Sequence, residues 1–97
     1  MRSLVTVEVA YSVCTEALGG KALSVYTPHD FDLRVQRSVL QKVVGQYPEY
    51  VSNVDAVRAW CAEYEAKKDR QSGIIAGTYR WVLGDVMSLP IEMVKSR

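Results

Sequence analysis

The stretch Leu4-Val-Thr-Val-Glu-Val-Ala-Tyr-Ser-Val-Cys-Thr-Glu-Ala-Leu18 can be wound in two ways, and the choice decides the fold class. Val5, Val7, Val9, Tyr11 and Val13 alternate with Thr6, Glu8, Ala10, Ser12 and Cys14, the period of a half-buried strand. Gly19-Gly20 would then turn the chain into a hairpin with Leu23 and Val25, giving an α+β fold with a β-strand or hairpin packed on helices. A strand reaching those glycines would be far longer than the usual 5 to 6 residues or so. As a helix, the same stretch collects Glu8, Ser12, Thr15 and Glu16 on one face and Val7, Val9, Val13, Cys14, Ala17 and Leu18 on the other. Gly19 becomes its C-terminal stop. The helical reading is preferred, and with it an all-α fold, a compact bundle of about four helices.

The rest of the chain supports that choice. Thr27-Pro28-His29-Asp30 puts Thr at an N-cap, Pro at the first helical position and a carboxylate at N3, with Tyr26 and Phe31 placed as a hydrophobic staple. A helix from Pro28 to about Val44 follows, closed by Gly45, with Phe31, Val35, Val39, Leu40 and Val43 inward and Asp30, Arg34, Arg37 and Gln41 outward. Ser52-Asn53-Val54-Asp55 repeats the capping logic, and Val54, Val57, Cys61 and Tyr64 recur at steps of three and four. That helix should reach about Arg70, with Gly73 past its end. A fourth, from about Ile74 to Leu89, has a seam of Ile75, Tyr79, Val82, Val86 and Leu89 and stops at Pro90. Its interior glycines, Gly77 and Gly84, each cost about 1 kcal/mol relative to Ala and point to a close backbone approach by a neighbour.

At 97 residues, 48% of them hydrophobic and 24% charged, the chain has globular usage and room for one core, so 1–97 reads as a single domain with 90–97 as a loose C-terminal tail. A net charge of +1 gives no field that argues for a polyanion partner. No run approaches a membrane span, and the segment after Met1 lacks a signal peptide's unbroken apolar core. Cys14 and Cys61 form neither a disulfide framework nor a metal clip, so two buried reduced thiols in a cytoplasmic protein are expected.

The inventory of reactive groups is short. His29 is the sole histidine, and His29, Asp30 and Asp32 do not all face one point on a helix, so they suit neither a metal nor a triad. Neither cysteine has a flanking base to lower its pKa. The glycines follow no phosphate-loop spacing. No cofactor, metal or enzymatic mechanism is implied.

Aromatic and arginine anchors remain. Tyr47 and Tyr50 fall in an interhelical loop, while Trp81 and Ile74, seven residues apart, share the polar side of the fourth helix with Arg80. Tyr, Trp and Arg dominate interface energetics. The expected function is a non-enzymatic protein-protein interaction module, such as a small stoichiometric inhibitor, adaptor or assembly subunit, a class that includes short proteins of phages and other mobile elements. Apolar seams on three helices can satisfy one another within one chain or across a homodimer. The alternative is a small nucleic-acid-binding regulator that uses the helix face of Arg34, Arg37 and Gln41, with Lys42 beside it.

Overall fold

The computed structural model describes residues 1–92 and is all-α: those residues contain five α-helices and no strand. Helix α1 spans Leu4–Leu18, as its helical reading requires. Ser3 caps it by accepting the Thr6 N–H at 3.2 Å, and Gly19, at φ 57°, closes it by donating to the Thr15 carbonyl. The hairpin alternative is replaced by a single 3-10 turn at Leu23–Val25 with both side chains exposed. The inward face differs from the expected one: Val7, Ala10, Cys14 and Leu18 are buried, whereas Val5 and Val9 point outward. Burial on a neighbouring helix, not valine's β preference, settles the conformation here.

Helix α2, Pro28–Gly45, begins with a complete capping box. Thr27 Oγ1 accepts the Asp30 N–H at 3.1 Å while Asp30 Oδ2 accepts the Thr27 N–H at 2.9 Å. The Tyr26 and Phe31 rings meet edge to face at 5.2 Å, which completes the staple. The helix face is rotated from the one expected. Leu33, Gln36, Val39, Leu40 and Val43 are buried, Asp30 turns inward to meet Lys21 at 3.1 Å, and Phe31 is exposed.

Tyr47 and Pro48, read as loop, start a short helix α3, Tyr47–Ser52, where the proline's missing N–H costs nothing. Helix α4, Val54–Lys67, stops three residues before the expected end because Lys68 takes the left-handed conformation at φ 64°. Asp69 then caps helix α5, Arg70–Leu83, by accepting the Ser72 N–H at 2.9 Å, so Gly73 lies inside a helix instead of ending one. At the other end Gly84, at φ 88°, is a C-terminal cap and not an interior glycine. The seam therefore stops at Val82, and Val86 is exposed.

Packing runs α1 on α2, α2 on α5 and α5 on α4, with α3 bridging α2 to α4. Helix α5 is thus covered from several directions, and Ile74, Ala76, Thr78, Tyr79, Trp81, Val82 and Leu83 are all buried. A helix that is apolar on most of its circumference belongs in the middle. Gly77 has the expected close neighbour: a Cβ there would come within 2.6 Å of Pro90 Cγ. The segment after α5 folds back over it, Leu89 is buried, and Gln36 clamps Ile91 by accepting its N–H at 3.0 Å and donating to its carbonyl at 3.1 Å. The start of the expected loose tail is therefore tied down at Pro90 and Ile91; residues 93–97 of it lie outside the described residues. None of the helices described is long and apolar enough to cross a membrane.

Candidate functional site between α2, α4 and α5

Three of the five expected partner anchors are buried. Trp81 is 8% exposed because the N-terminal residues close over it: the Arg2 guanidinium lies 4.5 Å from the ring centroid and donates from Nε to the Trp81 carbonyl at 2.6 Å. The Arg2 N–H adds a bond to the Val82 carbonyl at 2.8 Å. Ile74 is buried too, since the side of α5 taken for its polar face meets other parts of the chain. Tyr50 is buried in a stack with Tyr79 at 6.0 Å. Tyr47 is half-buried and donates to the Arg2 carbonyl at 2.6 Å. Arg80 reaches the surface but grips Glu65 through Nε and Nη2 at 2.7 and 2.8 Å, with Asp85 at 3.6 Å from Nη1. The Glu65 pair raises the Arg80 pKa and lowers that of Glu65, while the Asp85 pKa is lowered chiefly by the bidentate hydrogen bonds from Arg58, with Arg80 adding to it.

The basic face of α2 is split rather than continuous. Arg37 is half-buried with its Nε enclosed and unbonded, close enough to Cys14 to act on the thiol's charge, while Gln41 is exposed. Arg34 and Lys42 sit two turns apart on the other edge, with Ser38 between them, and line a broad depression in the surface.

That depression exists because α2 and α4 both pack on α5 and leave its upper side open. It encloses about 450 Å³; Ile75 and Tyr79 of α5 form the floor, Phe31, Val35 and Val39 of α2 one wall and Tyr64 of α4 the other. A second depression of about 300 Å³ shares Lys42, Tyr64 and Tyr79 with it and runs on to Tyr50 and Trp60, so the two make one furrow. Trp60, not Trp81, is the tryptophan left at the surface, at 40% exposed. It lies 6.0 Å from Tyr50 and 6.3 Å from Tyr79, ring to ring, and is held by that stack without being covered by it. Burial and the hydrogen bond to Tyr50 push the Tyr79 phenol well above its ordinary pKa, which keeps it neutral.

The rim is unevenly charged. Asp32 holds Arg70 by two bonds of 2.6 and 3.1 Å, and Lys67 lies 5.2 Å above the Tyr64 ring. Arg34 and Lys42 make no ion pair among the described residues. Counting Arg34, Lys42, Lys67 and Arg70 against Asp32 and Glu63, the furrow carries two net positive charges.

The reactive groups lie away from it or are engaged. Both cysteines are buried, and burial raises their thiol pKa values. Gln36 Nε2 donates to Cys14 Sγ at 3.5 Å and Cys61 Sγ to the Ala76 carbonyl at 3.7 Å. His29 is exposed, Asp30 caps its own helix and Asp32 binds Arg70. Of the furrow residues, sequence reasoning singled out only Arg34, Lys42 and Tyr50 as contacts. Trp60 carried a usable signal, since it stands three residues after Val57 and four before Tyr64, at the edge of the buried stripe of α4. Comparison with protein families, with characterised proteins and with solved structures finds no match for this chain.

Proposed function

We propose that this protein is a non-enzymatic protein-protein interaction module, an inhibitor, adaptor or assembly subunit, and that its partner docks in the furrow between α2, α4 and α5. One observation carries the reading: a long groove on a small domain, with apolar and aromatic side chains between charged rims, ending in a half-exposed tryptophan that an aromatic stack holds in place. Rigid, partly exposed Trp and Tyr side chains at the centre of a concave surface are the usual source of binding energy. The fixed position matters, because an anchor that is already ordered loses little entropy when a partner covers it.

Nucleic acid is a weaker fit to the same furrow. Single-strand binding needs ring faces open to stacking, whereas Tyr79 is 5% exposed and Lys67 lies over Tyr64. Asp32 and Glu63 on the rim would also face phosphate.

The test is affinity capture from an extract of the cells that encode the protein. A protein retained by the wild type and by Val9→Lys, on the far helix, should be lost with Trp60→Ala. Capture that Trp60→Ala leaves intact, with the variant still folded, would move the interface elsewhere.

A further inference from the structure

Resting on that reading of the furrow, we propose that its occupant is an acidic amphipathic helix of a partner protein, which sets apolar side chains onto Val35, Ile75 and Tyr64 and carboxylates against Arg34 and Lys42. The backbone decides the helical form. An extended peptide gains affinity by adding to a sheet edge, but the walls here are helices whose N–H and C=O groups are bonded internally. A helix brings its own backbone bonds and needs only side-chain contacts. From Phe31 to Lys42 the α2 wall is about 16 Å long at 1.5 Å per residue, which matches roughly three turns of a docked helix.

Charge decides the sign. Among the other cations, Arg58 is held by Asp85, Arg70 by Asp32, Arg80 by Glu65, Lys21 by Asp30 and Arg2 by backbone carbonyls; Arg37, Lys67 and Lys68 make no ion pair among the described residues, and of these three only Lys67 lines the furrow, over the Tyr64 ring. Arg34 and Lys42 likewise have no ion partner among the described residues, and both stand on the lip of the groove, beside its apolar residues Val35, Val39 and Ile75. Their spacing of two helical turns, about 12 Å, requires two carboxylates about two turns apart on the docked helix. Rim charges of this kind select the partner and speed its approach more than they tighten the complex.

The experiment titrates the isotope-labelled full chain, followed by amide chemical shifts, with two capped 15-residue helical peptides. Both carry one Leu/Ala apolar stripe; one is flanked by Glu and the other by Lys. A ten-nucleotide oligothymidylate is the third probe. The Glu peptide should move the Ser38, Lys42, Tyr64 and Gln71 signals saturably, and the Lys peptide should not. The double variant Arg34→Glu/Lys42→Glu should weaken the Glu peptide by roughly tenfold, a rim effect, with Arg34→Gln/Lys42→Gln in its place if the reversal perturbs folding. If the Lys peptide binds equally well, the acidic-partner proposal is overturned while the furrow survives as a protein site. If neither peptide moves these signals and the oligonucleotide does, both the proposal and the protein-binding reading fall. Silence from all three probes overturns the proposal alone.

Discussion

The end of α5 and the furrow above its middle contain the same ingredients, arginine beside aromatic rings, in opposite circumstances. Around Trp81 each is satisfied from within: Arg2 covers the ring, Tyr47 holds the Arg2 carbonyl, and Arg80 is locked to Glu65. In the furrow, Trp60 is held in place but uncovered, and Arg34 and Lys42 have no ion partner among the described residues. Residue type alone therefore does not mark an interface. What sets the furrow apart is that such residues are ordered by the fold and then left uncovered.

The sharpest way to break this comparison is to cut each tryptophan. Trp81→Ala should cost about 3 to 5 kcal/mol, as for a buried aromatic, a large share of the stability of a domain of this size. Chemical denaturation would measure it. Trp60→Ala should cost much less, since the ring is only partly covered. Equal losses at the two sites would mean that Trp60 is core and that the furrow has no anchor.

A second contrast, smaller in effect, lies between two glycines of the same helix, Gly77, which faces Pro90, and Gly73, where an added Cβ would meet nothing within 4 Å. Gly77→Ala should gain about 1 kcal/mol of helix propensity but force Pro90 from its seat, an overpacking cost of about 1 to 3 kcal/mol. A net loss of about 1 kcal/mol in thermal unfolding is expected, with the Gln36 bonds to Ile91 loosened. A stabilised variant would show that the segment at Pro90 is not seated on α5.

These glycines also indicate where sequence reading stops. The C-terminal end of α1 and the start of α2 were legible because Gly19, Thr27, Pro28 and Asp30 act through local geometry that needs no neighbour. At α5 the same logic misfired. Gly73 and Gly84 look alike in sequence, but the break between α4 and α5 falls on Lys68, a non-glycine in the left-handed region, and Asp69 supplies the cap. Asp69 and Ser72, three apart, were the available signal. Shifting the boundary four residues rotated nothing by itself; what hid Trp81 was that α5 is packed on more than one side, which no single-helix periodicity reveals. The furrow was less legible still. Arg34 and Lys42 could be seen on one helix, but their relation to Tyr64 and Trp60 arises only when α2 and α4 are both laid on α5.

The smallest effects concern the cations, and they separate the two regions most cleanly because both sets of side chains lie near the surface. Arg80→Ala removes the partner of Glu65 and a neighbour of Asp85, so it should lower the melting temperature by a few degrees at pH 7, the scale of a good surface ion pair. Both carboxyl groups have pKa values below the ordinary carboxylate range, chiefly through hydrogen bonds from Arg80 to Glu65 and from Arg58 to Asp85. A depressed folded pKa means that the stabilisation is present above the unfolded value and is lost as pH falls through the folded one. The gap between wild type and Arg80→Ala should therefore be constant from about pH 6 to 8 and shrink below about pH 4 as both carboxylates are protonated. Arg34→Ala and Lys42→Ala break no ion pair, so each should stay within about 2 °C of the wild type over the same range. A thermal series at four or five pH values decides the matter. If Arg34→Ala or Lys42→Ala showed the acid-sensitive loss expected of Arg80→Ala, that cation would already be neutralised by the chain's own carboxylates, and nothing in the furrow would be left for a partner to satisfy.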